Sequence, residues 1–315
     1  MRSGASWSRG QRLKNDALHA LIRGALATVA RLPRGAVALL CHALAALAWL
    51  VLPRERALCR ARLEAGLGHP VPARRVRAAF RGAGAVLADT LALLDPAEPA
   101  GRTLALAPAG RDAFREALAE GRGVVFVSAH LGPWERLAAV LAAEGFPVAT
   151  VARESYDPRL TGLYDRLRAP RGVRSIYRGR PGAATTIARE LRAGRAVGFL
   201  IDLPSRVPSH PCRLFGADAD LPVGAARIAL ARGAAVLVGT TAPDRTIHIC
   251  RVDPGAPSGA TRADGERILM ERLARELDAR IAAGPDAWLG LFAPAQARRE
   301  SPDGRVSLRS VGNSR

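Results

Sequence analysis

His130 and Glu135 are the two residues whose types and spacing suit proton transfer. They stand in the run Gly123-Val-Val-Phe-Val-Ser-Ala-His130-Leu-Gly-Pro-Trp-Glu135. A neutral, oriented and reachable imidazole takes a proton from a hydroxyl. A carboxylate on its second ring nitrogen fixes the tautomer and stabilises the imidazolium that forms. On one continuous helix, five residues would rotate the two side chains well apart. A helix that starts between them removes that problem. Pro133 suits the first turn of such a helix, where its missing N–H costs nothing. The expectation is therefore a His130–Glu135 pair, with Glu135 folded back from the first helical turn onto the ring.

The elements that must position this pair are legible in the hydropathy pattern. Apolar, β-rich runs occur at 123–128, 148–152, 173–177, 196–201, 235–240 and 246–252. Helical patterns lie among them at 111–120, 134–144, 158–168, 181–193, 222–232 and 263–283. Such alternation predicts an α/β fold with a mixed, largely parallel sheet flanked by helices. Catalytic groups then belong at strand C-terminal ends. His130 and Asp202 both fall there. An aspartate in that position often simply caps or turns the chain.

Ahead of this lies a helical lead-in. Residues 35–52 carry no formal charge and are flanked by Arg31 and Arg34 on one side and Arg54 and Arg56 on the other. Eighteen residues are marginal for a membrane span. We expect a membrane anchor or a helix lying in the interface, and arginines at both ends leave the orientation open. The segments 54–68 and about 73–94 follow as helices, the first ending on glycines. The organisation expected is a polar segment and apolar membrane-anchoring helix over 1–53, a catalytic domain over 54–295, and a disordered tail over 296–315. That tail is polar, charged and aperiodic.

The net charge is +19, and Lys14 is the only lysine among 47 basic residues. This charge favours anionic membranes, acidic proteins and phosphorylated lipids. Nucleic acid is excluded as the expected partner. The chain has no zinc spacing, no recognition-helix signature and no aromatic-rich basic stripe. Cys41, Cys59, Cys212 and Cys250 have no short metal or redox spacing, and read as reduced, mostly buried thiols. No metal site, P-loop or dinucleotide fingerprint is present.

The run His130-Leu-Gly-Pro-Trp-Glu135 resembles the H-x4-D/E motif of glycerolipid acyltransferases. It is most similar to the late acyltransferases of lipid A synthesis. The resemblance spans about residues 36–290. It includes the strand ending at Asp202, the block Arg213-Leu-Phe-Gly216 and the stretch Ala229–Val238. It implies transfer of a fatty acyl chain from an acyl thioester, on acyl carrier protein or coenzyme A, to a glycolipid hydroxyl. It also implies no bound cofactor and a place at the cytoplasmic face of the bacterial inner membrane. His130 would be the base and Glu135 its partner. Arg153, Arg168 and Asp202 would be substrate-binding residues near the mouth of an apolar groove covered by the lead-in.

The chain departs from the family in several places. Pro133 replaces a common asparagine, Arg62-Leu63 stands where Asn-Leu is usual, and Ile201-Asp202 where Pro-Asp is usual. The C-terminal block keeps Pro285 and Trp288 but loses a basic cluster. Two other readings stay open: another membrane lipid as acceptor, and a catalytically silent lipid-binding protein of the same fold.

Overall fold

The computed structural model describes residues 8–155, 157–255, 259–293, 296–300 and 306–310. Four helices lead: α1 (Arg9–Val29), α2 (Arg34–Val51), α3 (Pro53–Leu67) and α4 (Ala73–Ala92). The alternating region runs β1 (Ala105–Leu106), α5 (Pro108–Ala119), β2 (Val124–Ser128), α6 (Trp134–Ala143), β3 (Val148–Arg153) and α7 (Pro158–Arg168). It continues with β4 (Arg174–Arg178), α8 (Ala183–Arg192), β5 (Ala196–Leu200), β6 (Ser209–Leu214) and β7 (Ala217–Pro222). The chain then forms α9 (Gly224–Arg232), β8 (Ala235–Thr241), β9 (Thr246–Val252) and α10 (Arg262–Ala283). It ends with β10 (Gln296–Glu300) and β11 (Val306–Ser310).

Seven strands form one sheet in the order β1-β9-β8-β2-β5-β3-β4. Strands β8, β2, β5, β3 and β4 run parallel, and β9 turns back antiparallel on β8. The mixed, largely parallel sheet expected from the alternation is the one found. β2 is buried along its whole length, which explains its unbroken apolar run. One face packs Val125, Val127, Val197 and Ile176 under α8, α9 and α10. The other packs Phe126 and Val148 under α5, α6 and α7. After β2 the chain leaves towards β3 across one face. After β5 it leaves towards β8 across the other. The crevice between the C-terminal ends of β2 and β5 is thus the switch point where α/β sheets place their ligands.

Two elements escaped the hydropathy pattern. The first is the β6–β7 hairpin, closed by Phe215 and Gly216. Both have positive φ (47° and 73°), as a tight two-residue hairpin turn demands. A side chain on Gly216 would meet the backbone of Ala65 on α3, so the residue also permits a close approach. The second is the amphipathic α1, started by a reciprocal Ser8–Gln11 capping box. Residues 296–315, expected to be disordered, contain the antiparallel β10–β11 pair.

α2 coincides with the uncharged run, and among the described residues it is the one helix long and apolar enough to cross a membrane. It is not free, however. Val37 and Cys41 pack against Ala88, Leu91 and Leu94 at the α4 end. Trp49 meets Phe80 edge-on at 5.6 Å. The opposite side of α2 is an exposed apolar face containing Leu39, Leu47, Leu50 and Val51. A buried charge network ties this lead-in to the sheet. Arg136 of α6 is wholly inaccessible and contacts Glu98 at 2.9 Å and Asp89 of α4 at 3.3 Å. Arg34, at the start of α2, also bonds Glu98.

Candidate active site

His130 leaves the C-terminal end of β2 two residues after Ser128, on a short loop into α6. Gly132 turns this loop with φ +63°, and a side chain there would press on Thr241. The loop is pinned by the segment after α10: Leu289 N–H donates to His130 O (2.9 Å), and Gly132 N–H to Ala287 O (3.0 Å). Pro133 is the N-cap of α6 rather than a residue of its first turn, and Glu135 lies within that turn.

The carboxylate on the imidazole is Asp202. Its Oδ1 lies 2.8 Å from His130 Nδ1, while its Oδ2 accepts the His130 backbone N–H at 3.0 Å. Trp288 Nε1–H donates to the same Oδ2 at 2.8 Å. Asp202 is wholly buried, and the His130 side chain is 24% exposed. Three donors therefore converge on one carboxylate. The ring is held with Nδ1 turned inwards and Nε2 without a hydrogen-bond partner among the described residues. Trp134 flanks the ring edge-on, with centroids 5.0 Å apart.

Glu135 is engaged elsewhere, and among the described residues no hydrogen bond joins it to His130. Its two oxygens accept from Arg168 Nε (2.9 Å) and one terminal nitrogen (2.6 Å), in a buried bidentate pair. The first turn of α6 points this carboxylate over the sheet towards the end of α7, not back to the loop. Burial is the largest single influence and works against the Arg168 charge, but the hydrogen bonds it donates to Glu135 and the nearby negative charge together raise the guanidinium pKa above its ordinary value. The expected His130–Glu135 contact is thus replaced by two pairs, His130–Asp202 and Glu135–Arg168. Arg153 is exposed at the end of β3 and joins neither.

A family model described as bacterial lipid A biosynthesis acyltransferase matches residues 10–293. The chain belongs to that family. Among curated proteins no match is found. The acyltransferase keeps His130, Asp202 and Trp288 together although they lie far apart in the sequence. Its four cysteines are free. Burial raises the pKa of each, with Cys59 and Cys212 pushed up to about 12, so no thiol is prepared as a nucleophile. No group of three or more His, Cys, Asp or Glu converges as a metal site among the described residues.

Beside the histidine loop lies a narrow apolar slot. Trp134, Leu137 and Leu141 of α6 form one wall, and Phe126, Val148 and Phe199 of the sheet the other. Glu135 and Arg168 also line it. The helix covering this slot is α6; a second groove, lined by Asp202, Leu203 and Trp288, lies against Leu58, Ala61, Arg62 and Ala65 of α3, part of the lead-in that sequence reasoning expected as the cover.

Sequence reasoning missed Trp288 as a site residue and placed Asp202 among the substrate-binding residues rather than on His130. The surviving tryptophan of the altered C-terminal block was the available signal.

The Glu135–Arg168 pair makes a stability prediction. Glu135→Gln leaves a buried guanidinium without its counter-charge, so the unfolding free energy should fall by about 3–5 kcal/mol. Chemical denaturation measures this directly. Adding Arg168→Met should recover much of the loss, because the stranded charge is then gone. An unchanged denaturation midpoint in Glu135→Gln would refute the pair's structural weight.

Proposed function

We propose that this acyltransferase moves a fatty acyl chain from an acyl thioester to a hydroxyl of a glycolipid, most simply a lipid A precursor. The donor carrier is acyl carrier protein or coenzyme A. The observation that supports this reading is His130 held by Asp202, itself anchored by Trp288, with Trp134 of the apolar slot against its ring. A carboxylate on Nδ1 directs the ring proton to that nitrogen and leaves the Nε2 lone pair free to act as base. Nε2 removes the acceptor hydroxyl proton as the oxygen attacks the thioester carbonyl carbon. The resulting C–O bond forms the ester, the C–S bond breaks, and the departing thiolate takes the proton back from the imidazolium. Asp202 balances the imidazolium charge during the step. No covalent acyl-enzyme is required.

Arg168 and Glu135 act as positioning residues in this proposal. They fix the start of α6, and with it Trp134 against the ring. The acyl chain enters along the apolar wall of α6, and the narrow slot there must widen to admit it. The test is direct. Purified protein in mixed micelles, with acyl carrier protein thioester or acyl-coenzyme A, should add one acyl group to a lipid A precursor by mass spectrometry. If no glycolipid is acylated with either donor, the reading fails. Should another membrane lipid lose one acyl chain when the gene is deleted from the host strain, the alternative acceptor replaces lipid A. An intact base and carboxylate weigh against the silent lipid-binding reading.

The proposed seat is the cytoplasmic face of the inner membrane, with α2 lying in the interface rather than crossing it. A crossing α2 would carry α4 with it, and α4 exposes Arg74, Arg77 and Arg81. Each arginine near a bilayer centre costs about 2.5–3.5 kcal/mol. The exposed leucines of α2 are suited to shallow insertion, and the positive charge to anionic headgroups. The triple variant Leu39→Asp/Leu47→Asp/Leu50→Asp should therefore leave anionic vesicles for the supernatant while keeping its circular dichroism spectrum. Retention of the folded variant on the vesicles would overturn this assignment.

A further inference from the structure

Arg153 and Arg178 are the last residues of β3 and β4, and they are direct partners in the parallel register. Paired residues of neighbouring parallel strands project on the same face, so two guanidinium groups are set side by side. Like charges placed directly opposite each other destabilise a sheet. Most arginines near them have answered charges: Arg174 pairs with Glu190, and Arg180 with Glu154 at 2.6 Å. Glu154, the acid next to Arg153, is thus already taken. Among the described residues, neither Arg153 nor Arg178 has a side-chain hydrogen bond or ion pair. Arg178 is half-buried. Burial first, and the Arg153 charge second, lower its pKa from the ordinary value. A guanidinium nevertheless stays charged. The result is a local excess of two positive charges, one of them partly desolvated.

The position of this pair is fixed by the strand registers. Phe126, Gly198 and Thr150 are level across β2, β5 and β3. Arg153 is three residues further on, level with Ala129 and Ile201, the residues just before His130 and Asp202. At a strand spacing of about 4.8 Å, the two arginine backbones stand roughly 10 and 15 Å from Ala129 along the same sheet edge.

We propose that Arg153 and Arg178 together form a binding site for a substrate phosphate ester, set along the sheet edge from the reacting centre. Two planar guanidinium forks suit a phosphate with several acceptor oxygens. The offset matches a phosphate that belongs to a reacting molecule but not to its reacting bond. Either substrate class of the acyl-transfer reading supplies one: the phosphopantetheine arm of a thioester donor, or a phosphorylated sugar of the acceptor. The substrate assignment rests on that reading; the geometry of the anion site does not.

The test is the double variant Arg153→Gln/Arg178→Gln in the full-length protein. Removing like-charge repulsion should leave its thermal midpoint unchanged or higher, whereas a structural role would lower it. Inorganic phosphate should raise the wild-type midpoint above that in chloride at equal ionic strength, and should lose this effect in the variant. In turnover assays the KM of one substrate should rise about tenfold or more with kcat nearly kept, as expected for lost uniform binding. Varying donor at saturating acceptor, then the reverse, tells which substrate brings the phosphate. Acyl-pantetheine, which lacks the phosphate, should be insensitive to the substitutions if the donor brings it. Unchanged KM for both substrates, or no phosphate-specific shift in the wild type, overturns the site. If the chain transfers no acyl group at all, the phosphate titration still decides the anion site, and the functional reading alone has failed.

Discussion

Asp202→Asn should abolish most turnover while leaving the fold intact, with a loss of about 10³–10⁴-fold, the scale seen when a carboxylate partner of a catalytic histidine is made an amide. The argument is one of hydrogen-bond polarity. Oδ2 receives two donors, the His130 backbone N–H and Trp288 Nε1–H. An asparagine must put its oxygen there, since its NH2 group cannot accept. The NH2 group then faces His130 Nδ1, which must become the acceptor. The ring proton moves to Nε2, and the lone pair proposed as the base is lost. Protein stability should change little, because every donor retains an acceptor. A nitrogen-15 spectrum of labelled His130 reads the tautomer independently of turnover. A variant with the wild-type tautomer and wild-type rate would remove Asp202 from the mechanism.

His130→Ala removes the proposed base. Acyl transfer should fall by about two to four orders of magnitude, the usual contribution of a positioned general base. The loop should survive, because its anchors are backbone groups: Leu289 N–H on His130 O and His130 N–H on Asp202. Binding of acyl donor should also survive, since the slot is walled by α6 and the sheet. The informative comparison is therefore kcat against KM, with the loss confined to kcat. A folded His130→Ala protein that transfers acyl groups at near wild-type rate would defeat the mechanism.

The helices and parallel strands from β2 to α10 were legible because each has its own period, bounded by glycine or proline. Pairing between strands was not. Asp202 was visible at a strand end, but only the sheet order sets β5 beside β2 and brings its carboxylate to His130. A five-residue spacing made Glu135 the nearest acid in sequence, although the direction of the first turn of α6 sends it to Arg168. The hairpin was hidden because β6 and β7 mix Pro, Asp and Arg with few β-branched residues. α1 was hidden because its apolar positions are mostly solvent-exposed and mixed with charged residues at its start.

The dependence of Asp202 on Trp288 also sets an order on the ribosome. α2 is synthesised more than two hundred residues before Trp288. At about 5–20 residues per second, this interval is roughly ten seconds to most of a minute. The lead-in can therefore meet a membrane while the indole that completes the histidine's support is still unmade. The nascent chain has a strand, a histidine and an aspartate, but no fixed orientation among them. Acyl-transfer competence comes last, after the polypeptide has already had time to settle where its lipid substrates are.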